Sequence, residues 1–128
     1  MEDSQLASAD RLVKLAAVAT KAACIDIQLT QERDGKHQLS AATVFTEPEI
    51  DTIEALTPTL EGSTTRQKNP HPTGRLDRAA WVIARLGGWN CYYKPPGPIT
   101  FRRGMEQFHA IHRGRLLEMR LQREVRIP

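Results

Sequence analysis

Aromatic residues are scarce in this chain. Phe, Trp and Tyr make up 5% of its 128 positions, so any core is aliphatic and modest in size. No apolar run reaches the roughly 20 residues that a membrane-spanning helix needs. The N-terminal MEDSQLASAD is acidic and lacks the basic-then-apolar order of a secretory signal, so a cytoplasmic location in a bacterium is the expectation. The two cysteines, Cys24 and Cys91, are far apart and fit no metal or disulfide spacing. No G-x-S-x-G, phosphate-binding loop or Rossmann glycine pattern occurs. His109 and His112 lie three apart, but no C-x-x-C or H-E-x-x-H accompanies them, so they read as two histidines of a surface helix rather than zinc ligands. Cys24 sits in an Ala-rich stretch and reads as a small core residue, not a nucleophile. Spacing alone therefore yields no catalytic residue and no metal site.

What the chain does have is charge, unevenly placed. Residues 1–61 carry five Lys/Arg against eleven Asp/Glu, a balance of −6, and residues 62–128 carry thirteen against four, a balance of +9. A basic half suits an anionic partner such as nucleic acid. A solvated basic helix paired with the acidic half accounts for the same composition. The basic set is Arg102, Arg103, Arg113, Arg115, Arg120, Arg123 and Arg126, joined by Arg66, Lys68 and Arg75 in a loop. Phosphate contact needs only such charges on one side of a surface.

Hydrophobic spacing predicts an all-α fold: one long N-terminal helix and a small module of about three helices. Ser4 to about Gln31 is apolar on most sides, with Lys14, Lys21 and Gln28 as a narrow polar line. A helix of that length spans roughly 40 Å, long for a lone domain of this size, and it wants burial against a core that the chain does not contain. A second helix starts at Thr46, where Thr46 and Glu49 form a capping box, Pro48 sits in the first turn, and Phe45 and Ile50 are placed for a hydrophobic staple. Glu47, Glu49, Asp51 and Glu54 fit cap and first-turn positions better than a metal cluster. This helix is expected to end near Leu56, ahead of Pro58. Residues 61–73 have the composition of a mobile loop. A third helix spans Leu76 to Leu86 and stops at a left-handed cap supplied by Gly87 and Gly88. After the KPPGP linker, a last helix begins near Thr100, with Phe101, Met105, Phe108 and Ile111 on its apolar face. Gly104 lies on that face, which suggests close approach by a partner.

The run Ile83-Ala84-Arg85-Leu86-Gly87-Gly88-Trp89, then Pro96-Gly97-Pro98 and Phe101-Arg102-Arg103-Gly104, resembles the C-terminal region of bacterial cut-and-paste transposases of the Tn-five, IS-four type. Gln5-Leu6 and Ser8 to Leu12 are similar to the segment that closes that family's catalytic core, and Thr46-Glu47-Pro48-Glu49 to the start of its dimerisation domain. The resemblance implies three parts: residues 1–42 as the last core helix with a linker, 43–118 as the dimerisation domain, and 119–128 as a basic tail. It implies no enzymatic activity in this chain, because the family's Asp, Asp, Glu triad and its Mg ions belong to an upstream region, so no cofactor is expected here. It also implies pairing with a second copy, or with full-length transposase, through Phe101, Gly104, Met105, Phe108 and Ile111. Arg102, Arg103, Arg113 and Arg115 would then face transposon-end DNA. One departure is the pair Asp77-Arg78, where relatives are apolar: Asp suits a helix start, and Arg78 is expected to weaken packing. Trp89, Tyr92 and Tyr93 read as packing for the hinge rather than as a base-stacking platform. The rival readings are a free-standing basic helical DNA-binding protein and a non-functional transposase remnant.

Overall fold

The computed structural model describes residues 2–92 and 94–125. Among them are four α-helices: α1 (Glu2–Glu32), α2 (Glu47–Leu60), α3 (Leu76–Leu86) and α4 (Pro98–Val125). No strand forms among the described residues, and Ser40 and Arg75 make one isolated antiparallel bridge. The all-α expectation, a long first helix plus a small helical module, is met.

The short α3 is the centre. Its Leu76, Ala80, Val82, Ile83 and Ala84 are fully buried, and α1, α2 and α4 all pack on it. Ala80 and Ala84 are small enough to let neighbouring helices come close. Phe45 and Phe108 meet edge to face with centroids 5.7 Å apart, and Leu29 of α1 and Ile53 of α2 complete the core.

Local chemistry fixes the ends. At α2 both capping-box bonds form: Glu49 N–H donates to Thr46 Oγ1 at 3.4 Å, and Thr46 N–H donates to Glu49 Oε1 at 2.8 Å. This helix runs past its expected stop, with Pro58 inside its last turn. That turn is held from outside, since Arg85 of α3 donates from Nε and Nη2 to the Leu60 carbonyl at 3.2 and 2.9 Å. At the end of α3, Trp89 N–H donates to Ala84 O and Gly88 N–H to Arg85 O, which is the Schellman pattern. Only Gly88 is left-handed, at φ 98°. Gly87 is needed for a different reason: a Cβ there would overlap the Thr100 carbonyl oxygen of α4.

The loop of residues 61–73 is pinned rather than loose. Asn69 donates from its backbone to Glu61 Oε2 and from Nδ2 to Arg78 O, and Arg78 Nη1 donates to His71 O at 2.8 Å.

Candidate interaction surfaces

The apolar face expected to pair with a second copy lies inside this chain. Phe101 and Phe108 are fully buried, Met105 and Gly104 are buried, and Ile111 is half-buried. A Cβ on Gly104 would overlap the Ile83 carbonyl oxygen and stand 2.8 Å from the Ile83 carbonyl carbon and Cγ2. The close approach that Gly104 permits is therefore to α3. Phe101, Gly104, Met105 and Phe108 thus pack into the chain's own core, and Ile111 is the member of the expected set that keeps partial exposure.

Apolar surface remains at two other places. Residues 4–24 of α1 are all exposed, and within them Leu6, Leu12, Val13, Leu15 and Val18 each keep about two thirds of their surface in solvent (66–68%). At 1.5 Å per residue, this arm is about 30 Å of helix with nothing on it. The second place is distal α4, where Leu116, Leu117, Met119 and Leu121 are 44–56% exposed. Cys24 lies on the α1 arm and is exposed, not a core residue. Cys91 is buried, and burial pushes its thiol above the ordinary value, partly offset by Arg85.

The arginines divide. Arg102, Arg103 and Arg113 are exposed on α4. Arg102 has a loose contact to Glu106 at 3.8 Å, while Arg103 and Arg113 have no ion-pair partner among the described residues. Arg115 is half-buried and donates to Thr52 Oγ1 at 3.0 Å. Arg120 contacts Glu124 at 3.6 Å. Arg126 and Tyr93 lie outside the described residues. Arg75 is not a free loop cation, because its Nε and Nη2 clamp the buried Asp77 carboxylate at 3.1 and 2.9 Å.

Asp77 anchors a polar cluster that spacing did not reveal. It is 3% exposed, and His71 Nδ1 also bonds to it at 2.7 Å. Arg78 does not weaken the packing as expected, since it pairs with Glu54 at 2.8 Å and ties down the loop. His112 is likewise not a surface histidine: it is 9% exposed, stacked on Phe108 and bonded to Thr52 Oγ1 at 2.7 Å. His109 is exposed. Helical spacing gave no hint of the His71–Asp77, Arg78–Glu54 and His112–Thr52 pairings, whose partners lie 6 to 60 residues apart, although Phe108 stands one turn before His112.

Among the described residues no three His, Cys, Asp or Glu side chains gather in a way that could hold a metal ion, and no helix is long and apolar enough to cross a membrane. The hinge after α3 is ordered by its own bonds: Arg85 Nη1 donates to Trp89 O at 2.7 Å, Trp89 Nε1 to Lys94 O at 3.2 Å, and Tyr92 Oη shares a hydrogen bond with Thr64 Oγ1 at 2.9 Å. No family model matches the chain, and searches of curated proteins and of solved structures find no match.

Proposed function

We propose that this chain is the subunit-pairing, C-terminal part of a cut-and-paste transposase. In this reading α1 packs on the catalytic core of that enzyme, distal α4 pairs with a second copy, and the free arginines of α4 face the DNA. The observation that carries it is the bare apolar arm of α1. Five large apolar side chains that are about two-thirds exposed forgo on the order of 5–10 kcal/mol of burial, which a larger folded partner would recover. The sequence likeness in residues 83–104 supplies the kind of partner. The pairing surface moves from the residues first expected to Leu116, Leu117, Met119 and Leu121, because the proximal face is occupied.

Such a part performs no strand chemistry. Its work is to hold two subunits together, and a copy that still pairs would draw intact subunits into inactive mixed dimers. Co-expression with an intact transposase of this type is expected to lower the transposition count. An unchanged count, with the chain confirmed as expressed, rejects the reading.

One observation favours a second reading, a free-standing DNA-binding protein: Arg103 and Arg113 stand exposed without ion-pair partners among the described residues. That reading predicts tight DNA binding by the isolated chain that falls steeply with salt. The pairing reading predicts weak binding and concentration-dependent dimers.

A further inference from the structure

A cavity of about 330 Å³ opens between Arg33 and Asp34 just after α1, Ala80 and Trp81 in the middle of α3, and Trp89 with residues 94–96. Its size is at the lower end of the range for small-molecule sites, about 300–1,000 Å³. Both tryptophans of the chain, Trp81 and Trp89, line it, together with the buried Phe101. The indoles are held in advance: Arg85 lies 5.9 Å over the Trp81 ring, and Trp89 Nε1 donates to Lys94 O. Arg33 and Lys94 bring two cations to the lining against the single carboxylate of Asp34. Arg33 spends one nitrogen, Nη1, on Pro96 O at 3.1 Å, so the rest of its fork is unspent. The Lys94 side chain makes no hydrogen bond or ion pair among the described residues. The backbone N–H of Lys36 donates to Asp34 Oδ1 at 3.2 Å and Lys36 Nζ stands 3.6 Å from Oδ2, which together hold that carboxyl below its ordinary value; a ligand amino group would share these oxygens with Lys36.

Trp89, half-buried, offers an indole face to a flat heterocycle, while Trp81 is 5% exposed and backs the cavity from the core; the two cations suit a phosphate, and an ionised carboxylate accepts from an exocyclic amino group. We propose that this cavity binds a nucleoside 5′-monophosphate group bearing an amino-substituted base, either free or as one unstacked nucleotide of a strand. Trp89 is then more than hinge packing. The proposal goes beyond the pairing reading and does not depend on it.

Because the chain has two tryptophans and both line the cavity, intrinsic fluorescence reports its occupancy directly. The full chain is titrated with dAMP, dTMP, inorganic phosphate and a short adenine-rich single strand. Saturable quenching by dAMP, stronger than by dTMP and absent with phosphate, is the expected result. Quenching by the strand alone, without dAMP, assigns the site to an unstacked nucleotide and also supports the proposal. Lys94→Ala, whose side chain makes no hydrogen bond or ion pair among the described residues, is expected to weaken binding on the order of tenfold, the loss of one charge-assisted bond, with an unchanged circular dichroism spectrum. Three results overturn the proposal: no saturable quenching by dAMP or strand, equal quenching by phosphate, or unchanged affinity in Lys94→Ala. DNA held only by the arginines of α4 leaves the indoles unquenched, and subunit pairing is read separately by sedimentation, so the two accounts fail independently.

Discussion

The core around α3 and the two helical arms are made of the same residue types and use them in opposite ways. In the core, Leu29, Ile53, Leu76, Val82, Ile83, Phe101 and Phe108 are each no more than 2% exposed, and even glycine is placed so that backbones touch. In residues 4–24 and 116–121, leucines and valines of equal hydrophobicity stand in solvent. Backbone hydrogen bonding explains a helix in both regions, since Ala, Leu and Lys favour one without help from packing. Apolar burial explains the core alone. The difference teaches that the arms' side chains contribute little to this fold and are available for contact with something else.

Substitutions that separate the two regions sharpen the comparison. Phe108→Ala removes a fully buried ring packed on Phe45 and is expected to cost about 3–5 kcal/mol in urea unfolding. Leu12→Ser on the arm should change stability by less than about 0.5 kcal/mol. Equal losses from both would break the comparison. Next in size is Asp77→Ala, which strips a buried carboxylate from Arg75 and His71 and should cost about 3 kcal/mol. It is also expected to release the 61–73 loop to protease, read as a new early cleavage there. A smaller loss, about 1 kcal/mol, follows Thr46→Ala through its cap, measured as a shift in the urea midpoint.

The smallest effect concerns Asp26. Burial raises its carboxyl above the ordinary value, against the nearby Arg102, with Glu106 adding to the rise. The folded chain therefore holds that proton to a higher pH than the unfolded chain does. Stability attributable to this group falls as pH rises from the ordinary carboxylate range through the raised value. Asp26→Asn removes this slope and gains less than about 0.5 kcal/mol near neutral pH. Thermal unfolding of both proteins across that pH range checks it, and a wild type that gains stability over the same range relative to the variant would contradict it.

The sequence made the local parts of this molecule legible. Capping residues, the Schellman glycine and 3.6-residue spacing are short-range signals, and they located α1, the start of α2, and α3 to within a few residues. The apolar surplus of α1 is present too: residues 4–24 are exposed, with no described residue downstream covering them. What periodicity could not supply was which helix meets which face. Phe101, Gly104, Met105 and Phe108 carry the same pattern whether they face a second chain or α3, and Gly104 fits close approach by either. Arg78 and His112 follow the same logic: a polar residue on a packed helix is stabilised or not by its partner, and Glu54 and Thr52 lie far away in sequence. Pro58 reads as a stop, yet the Leu60 carbonyl finds its donor on Arg85 of another helix.

The central claim is that distal α4 pairs two copies while the proximal face of α4 belongs to the core. Sedimentation equilibrium of the full chain over a wide concentration range, beside the double variant L117E/L121E, tests it most directly. The account predicts a concentration-dependent dimer for the wild type, a monomer for the variant, and identical helix content for both by circular dichroism. A wild type that stays monomeric at every concentration, or a variant that dimerises as well as the wild type, would contradict it.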